Sequence, residues 1–307
     1  MNTQKPRIAI IGLGEVGRCY AQPLLEAGFE LLLCEARPSP AATELATRWN
    51  LPLHDKPGTW LESADWILSC VTGAQALPVV EQVLASAPAG TGLADLTTAS
   101  PEVKRRAAHL AKASSVRYVD TAIMGAISLN WVRTPLLAAG EGADEFKRFM
   151  EQAGGRVKVI EGGSAGDAIS LKILRSVFTK GMEALCVELL VSAQKQGVRE
   201  KLYEQLSDID QTPLRDFIDM LVRTHVVHAG RRAHEVHDAT NELAQQGITS
   251  LVLPGVEQRF RDTASKLQAH PMDTADPDVD QALRWLLDRQ PASDKTLLRS
   301  PFTFQEY

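Results

Sequence analysis

Three glycines, Gly12, Gly14 and Gly17, stand at G-x-G-x-x-G spacing within Gly12-Leu13-Gly14-Glu15-Val16-Gly17. Each has its own physical use. The first permits a tight turn, the second lets a pyrophosphate approach the backbone, and the third lets a helix press against a strand. A phosphate held there would meet the unpaired amide groups of a helix N-terminus. Glu35 follows 18 positions after Gly17. A carboxylate there accepts hydrogen bonds from a ribose 2′-hydroxyl and repels a 2′-phosphate. Two residues on, Arg37 could pair with that phosphate instead. The set reads as a dinucleotide site, with NAD favoured over NADP by Glu35.

Two further groups carry polar chemistry. Asp95-Leu96-Thr97-Thr98-Ala99-Ser100-Pro101 would place hydroxyls at the carboxyl end of a strand, where ligands bind in open sheets. The same residues also suit a helix N-cap before Pro101 and Glu102, and both uses can hold together. Further on, Lys172, Arg175, Ser176, Thr179 and Lys180 fall on one stripe of a helix that is otherwise apolar. A partly buried lysine has a lowered pKa and can exchange protons near neutrality. The alternative is that these cations reach solvent along their stems. His225, His228, His234 and His237 form a cluster, but His234 and His237 are three apart, whereas H-E-x-x-H requires four. No metal site is expected there, and a solvated helix face or a contribution to the active site remain as readings.

The elements that must position these residues follow from apolar patterning. Short β-like runs at residues 7–11, 30–34, 66–71, 92–96, 116–120, 134–139 and 157–160 are mostly continuous and apolar, as in a parallel sheet covered on both faces. Helical stretches at 16–27, 41–49, 75–87 and 102–112 alternate with the earlier runs. The expected architecture is α/β, a doubly wound parallel Rossmann sheet over 1–164 followed by an all-helical domain over 165–307. The first would bind NAD or NADP. Residues 290–307 show little periodicity and are expected to form a loop or arm.

Composition narrows the class. The chain has 307 residues, 44% hydrophobic and 23% charged, with a net charge of −5, which disfavours a nucleic-acid partner. No apolar run approaches the roughly 20 residues of a membrane span. The N-terminus lacks signal-peptide features, and Cys19, Cys34, Cys70 and Cys186 lie far apart with no C-x-x-C pair. A cytoplasmic setting is expected.

Taken together, these residues resemble the β-hydroxyacid dehydrogenase family, which includes 3-hydroxyisobutyrate and 6-phosphogluconate dehydrogenases. Three motifs match in the family's order over about the first 195 residues. They are the glycine segment with Leu24-Leu25-Glu26-Ala27-Gly28, the Asp95–Pro101 stretch, similar to D-x-S-T-x-x-P, and the run from Gly166 through Lys172 to Ser176, similar to G-x-G-x-x-x-K-x-x-x-N. The resemblance implies that Lys172 is the general acid/base, with Ser176 beside it. It implies cofactor contacts from Gly12, Leu13, Gly14, Glu15, Val16, Glu35, Arg37, Val71, Thr72 and Thr98. Substrate contacts would come from Thr97, Met124, Gly125 and Thr179. Three departures stand out: Ala168 replaces a glycine, Ser176 an asparagine, and Met124 the serine of D-A-P-V-S-G-G. They imply a more apolar pocket and an uncharacterised branch with a C-terminal domain of unknown function.

The implied activity is hydride transfer between a nicotinamide cofactor and a small hydroxyl-bearing substrate, such as a hydroxy acid. An imine-reductase-like enzyme is the enzymatic alternative, although such members usually lack the lysine. A non-catalytic dinucleotide-binding sensor is the alternative from another class. The resemblance also implies a homodimer or higher homo-oligomer.

Overall fold

The computed structural model describes residues 5–288, so the expected arm at 290–307 lies outside the described residues. The chain forms two compact units, dividing between Phe178 and Thr179. In chain order the first contains β1 (Ile8–Ile11), α1 (Glu15–Glu26), β2 (Leu31–Cys34), α2 (Pro40–Arg48), β3 (Leu53–His54), β4 (Trp66–Ser69), α3 (Ala76–Leu84), β5 (Gly92–Asp95), α4 (Pro101–Ala113), β6 (Arg117–Ile123), α5 (Ile127–Asn130), β7 (Pro135–Gly140), α6 (Ala143–Gln152) and β8 (Arg156–Val159). The long α7 (Asp167–Lys195) begins in this unit and crosses the division. Then come α8 (Arg199–Gln205), α9 (Ser207–Asp210), α10 (Leu214–Gln245), α11 (Leu253–Ala269) and α12 (Val279–Asp288).

The eight strands form one sheet in the order β3-β2-β1-β4-β5-β6-β7-β8. All pairs are parallel except β6–β7, where the direction reverses, so the expected all-parallel sheet is corrected for its last two strands. Successive side chains of a strand point to opposite faces. Ile8 and Ile10 therefore join Trp66, Leu68, Phe146 and Phe149 on one face, while Ala9 and Ile11 join Ile67, Val80, Leu93 and Tyr118 on the other. Helices cover both faces, which explains why the strands read as unbroken apolar runs. Trp66 is fully buried, its ring packed on Phe146 and Phe149 and its Nε1–H donated to Glu145 at 3.1 Å.

Three elements of the first unit escaped the sequence reading, among them α5, whose four residues are too few to carry a period. β3 has only two residues and pairs at the sheet edge through Leu33 with Leu53 and Cys34 with His54. α6 did carry a signal, since Phe146, Phe149, Met150 and Ala153 recur at helical spacing and are buried.

The second unit is helical. α10 and α11 pack together, and Val226, Ala282 and Trp285 form a small core with Val222, Leu267, Met272 and Leu286. The indole N–H of Trp285 donates to the His270 carbonyl at 3.1 Å. Glu188 accepts hydrogen bonds from Ser250 Oγ and from the amides of Leu251 at 2.6 Å and Val252 at 3.1 Å. The Ser250 hydroxyl and then these amides hold its carboxyl below the usual range. Among the described residues, no helix is long and apolar enough to cross a membrane.

Candidate dinucleotide and proton-transfer site

The sheet order turns back at β1, whose neighbours β2 and β4 lead to opposite sides of the chain's path. Such a switch point leaves a crevice beyond the carboxyl ends of the strands. Here a cleft of about 650 Å³ opens at that place, lined by Gly12, Gly14, Glu35, Arg37, Val71 and Thr72 among others. Six of the residues expected from sequence to contact cofactor thus meet in one cavity.

The glycines show why. Gly12 adopts φ +91°, and a Cβ there would lie 2.9 Å from the Cys70 carbonyl, so only glycine lets β4 approach. A Cβ on Gly17 would lie 1.9 Å from the Gly12 oxygen. Gly14 is different: no atom lies within 4 Å of its would-be Cβ, and that open space faces the cleft. Gly14 is also the N-cap of α1 and supplies no side-chain cap. The amides of Glu15, Val16 and Gly17 therefore begin the helix without intrahelical acceptors. A cradle with free amides and positive helix-end potential suits a pyrophosphate.

Leu13 contributes differently. Its side chain is buried in the core, and its amide donates to Glu35 Oε2 at 2.7 Å. Glu35 Oε1 accepts from the Arg37 amide at 3.0 Å. Two backbone bonds thus fix the carboxylate at the end of β2, and each oxygen keeps a further lone pair for a ribose hydroxyl. Arg37 is exposed at the same rim, with Asp55, Lys56 and Pro57 after β3. Those three were missed because the edge strand that delivers them was not recognised. The Cys70 thiol lines the cleft and is pushed far up by burial and by Asp95, so it stays protonated.

The Asp95–Pro101 stretch forms the anticipated helix cap, while neither Thr97 nor Thr98 is among the residues that line the cleft. Ser100 Oγ accepts from the Val103 amide at 3.3 Å and caps α4, with Pro101 in the first turn. Thr97 is buried, and its amide donates to Asp95 Oδ1 at 2.9 Å. Thr98 is exposed, and its backbone lies against Gly73, just past Thr72. The threonine turn and the β4 loop are therefore adjacent.

Lys172 lies half-buried in the second turn of α7. Burial and then the charge of Lys104 push its ammonium below the ordinary lysine range. Ser176 and Thr179 follow at positions that share its helix face. Met124 packs against the small cluster of Ala122, Leu137, Ala139 and Ala168, and Gly125 lies just past the end of β6.

Sequence reasoning missed the charged cluster beneath these elements. Lys104 of α4 is fully buried, 3.1 Å from Asp95 Oδ1 and 3.3 Å from Asp120 Oδ1, and it donates to the Asp95 carbonyl at 2.6 Å. Tyr118 donates to Asp95 Oδ2 at 2.6 Å, and burial together with that carboxylate pushes its hydroxyl far up. Asp120 Oδ2 accepts the amides of Gly166 at 3.0 Å and Ile169 at 3.2 Å. One signal was available: Lys104 stands three and seven residues before the buried Ala107 and Ala111, on the inward face of α4.

The histidines of α10 are not gathered around a common centre. His225 packs on Phe260, with Nε2 2.8 Å from Thr263 Oγ1, and His237 Nδ1 lies 3.3 Å from Glu257. Among the described residues, no three His, Cys, Asp or Glu are placed to hold a metal ion.

Comparison with known proteins agrees with this geometry. Residues 7–160 match the NAD binding domain of 6-phosphogluconate dehydrogenase, and residues 193–263 match a domain of unknown function, DUF1932. A conserved protein of unknown function, described as structurally similar to 3-hydroxyacid dehydrogenases, is 27% identical, with a TM-score of 0.60 over 84% of this chain and 97% of its own. An imine reductase from Aspergillus terreus, solved with NADPH4 and dibenz[c,e]azepine, is 18% identical, with a TM-score of 0.71 over 91% and 99%. One from Myxococcus stipitatus, solved with NAD+, is 18% identical, with a TM-score of 0.71 over 92% and 100%. The last two share the fold. The chain belongs to the family of the 6-phosphogluconate dehydrogenase NAD-binding domain.

Proposed function

We propose that this protein is an oxidoreductase that uses NAD in preference to NADP and acts on a small hydroxyl-bearing substrate, with Lys172 as general acid/base. The observation that carries the reading is the single cleft in which the open N-terminus of α1 and the backbone-held Glu35 carboxylate lie together. Gly12, Gly14 and the first amides of α1 would hold the pyrophosphate. Glu35 would accept the ribose hydroxyls, and Val71, Thr72 and Thr98 would border the nicotinamide end. The cofactor, when bound, supplies hydride transfer. Lys172, held below the ordinary lysine range, would take or return the hydroxyl proton at Nζ. Thr97, Met124, Gly125, Ser176 and Thr179 would border the substrate. Four free cysteines fit a reducing cytoplasm.

The test is calorimetric titration with NADH and, separately, NADPH. Micromolar binding of NADH and weaker binding of NADPH is expected, and binding of neither would refute the reading. Reduction of imines is the second reading, favoured by Met124 where the hydroxyacid family carries serine. Comparing hydroxy acids with cyclic imines as substrates separates the two.

A second copy of the chain belongs to the same proposal. Leu171, Leu174, Val177, Phe178, Met182, Leu185, Val187 and Val191 are all exposed along α7. Such a run of exposed apolar side chains marks an interaction surface, and an ordinary dimer interface takes about 800 Å² from each partner. A homodimer built on α7 would cover it.

A further inference from the structure

Asp95, Lys104 and Asp120 are completely buried, and together they touch two segments that the proposed reaction needs. Asp95 ends β5 and holds the Thr97 amide. Asp120, in the middle of β6, holds the amides of Gly166 and Ile169 at the start of α7. Lys104 joins the two carboxylates. Buried ion pairs are weak evidence of stability, because well-packed apolar residues often serve as well. A buried ammonium at this junction therefore invites a use other than packing.

We propose that Lys104 is a positioning residue, which, clamped between Asp95 and Asp120, fixes the threonine turn and the first turn of the Lys172 helix in one arrangement. The inference rests on the proposed function for the purpose of that arrangement, and on geometry alone for its existence. Lys104 also bears on Lys172 through space, since its charge opposes protonation there. The charged groups at the base of α7 are Lys104 and Arg105 from α4, the Arg105 guanidinium lying beside Gly166, Asp95 from β5 and Asp120 from β6, with Asp167, Lys172 and Arg175 on the helix itself.

The test uses the full chain with two substitutions, Lys104→Met and Asp120→Asn. Two properties are read: amide exchange at Gly166 and Ile169, and the pH midpoint for acetylation of Lys172 by acetic anhydride, followed by peptide mass. Lys104→Met should speed exchange at both amides by about tenfold, as expected when a charge-assisted bond loses its support. It should also raise the acetylation midpoint, because an opposing positive charge is gone. Asp120→Asn removes a negative charge and should lower the midpoint. Opposite shifts are the signature that a mere packing role would not produce. Unchanged exchange and midpoint in a folded Lys104→Met variant would overturn the inference. If that variant does not fold, unchanged amide exchange at Gly166 and Ile169 in Asp120→Asn overturns it. Failure of the wild type to bind NADH would instead remove the proposed function and leave these two readouts to decide Lys104.

Discussion

Replacing Gly17 with alanine adds one methyl group at the tightest point of the glycine turn. The new carbon would lie 1.9 Å from the Gly12 carbonyl oxygen, whereas real Cβ contacts are essentially never under 3.0 Å. The start of α1 and the β1 turn must therefore part by about 1.1 Å, and neither contact atom is a flexible side chain that could swing away. Overpacking of this kind costs about 1–3 kcal/mol of stability, or about 2–4 °C in Tm for each kcal/mol. The amides meant for the pyrophosphate move with the helix, and a misplacement near 1 Å can cost about 100-fold in a positioned interaction. Dissociation constants for NADH, measured beside thermal unfolding, give both quantities. Gly14→Ala is the control, since its methyl group meets no protein atom and enters the cleft. It should weaken NADH binding with little change in Tm. If Gly17→Ala bound NADH as tightly as wild type, the turn would not be the phosphate cradle. If Gly14→Ala did so, the cleft would not hold the pyrophosphate.

Lys172→Met should abolish hydride transfer to or from substrate while NADH affinity stays within about threefold, since the proton carrier is lost and the cleft is not; unchanged turnover in stopped-flow absorbance would refute the assignment. His225 makes the helical unit acid-sensitive: burial, then Arg259 and Arg232, push its pKa from 6.5 down to about 4. The unfolded chain therefore binds the extra proton first, and stability present above pH 6.5 is lost as pH falls toward 4, by about 1–2 kcal/mol between pH 7 and pH 5 after allowance for partial exposure. Urea unfolding of wild type and His225→Leu should show this slope only in wild type, and equal slopes would contradict it. Sedimentation at micromolar concentration should give a dimer, and a persistent monomer would rule out the α7 interface.

The parts of the fold that chain-local physics dictates were readable without coordinates. Gly12, Gly14 and Gly17 are needed for backbone reasons, and Glu35 sits at a strand end set by an apolar run, so the cleft followed from patterning alone. The two-residue β3 has no periodicity to read, and the Lys56 rim was lost with it. Reversal of β7 was hidden because an apolar run carries no direction. Lys104 was concealed by its neighbours, since Arg105 and Arg106 are exposed and make the segment look like a solvated face. Its role depends on Asp95 and Asp120, brought near by the sheet rather than by sequence. The α7 pattern was read correctly as apolar nearly all round, but in the single chain much of that surface faces water.

The burial of Trp66 in the sheet unit and of Trp285 in the helical unit gives each compact unit its own optical reporter. Both indoles are shielded from solvent and donate their N–H to a fixed oxygen, so each should emit toward the blue and shift red when its surroundings open. A chain with Trp49, Trp60, Trp66 and Trp131 all replaced by phenylalanine would then report on the helical bundle through Trp285, and a Trp285→Phe chain on the sheet unit. Superimposable denaturation curves from the two would mean that the units melt as one cooperative body. Separate midpoints would instead make α7 one continuous helix whose turns belong to different melting transitions.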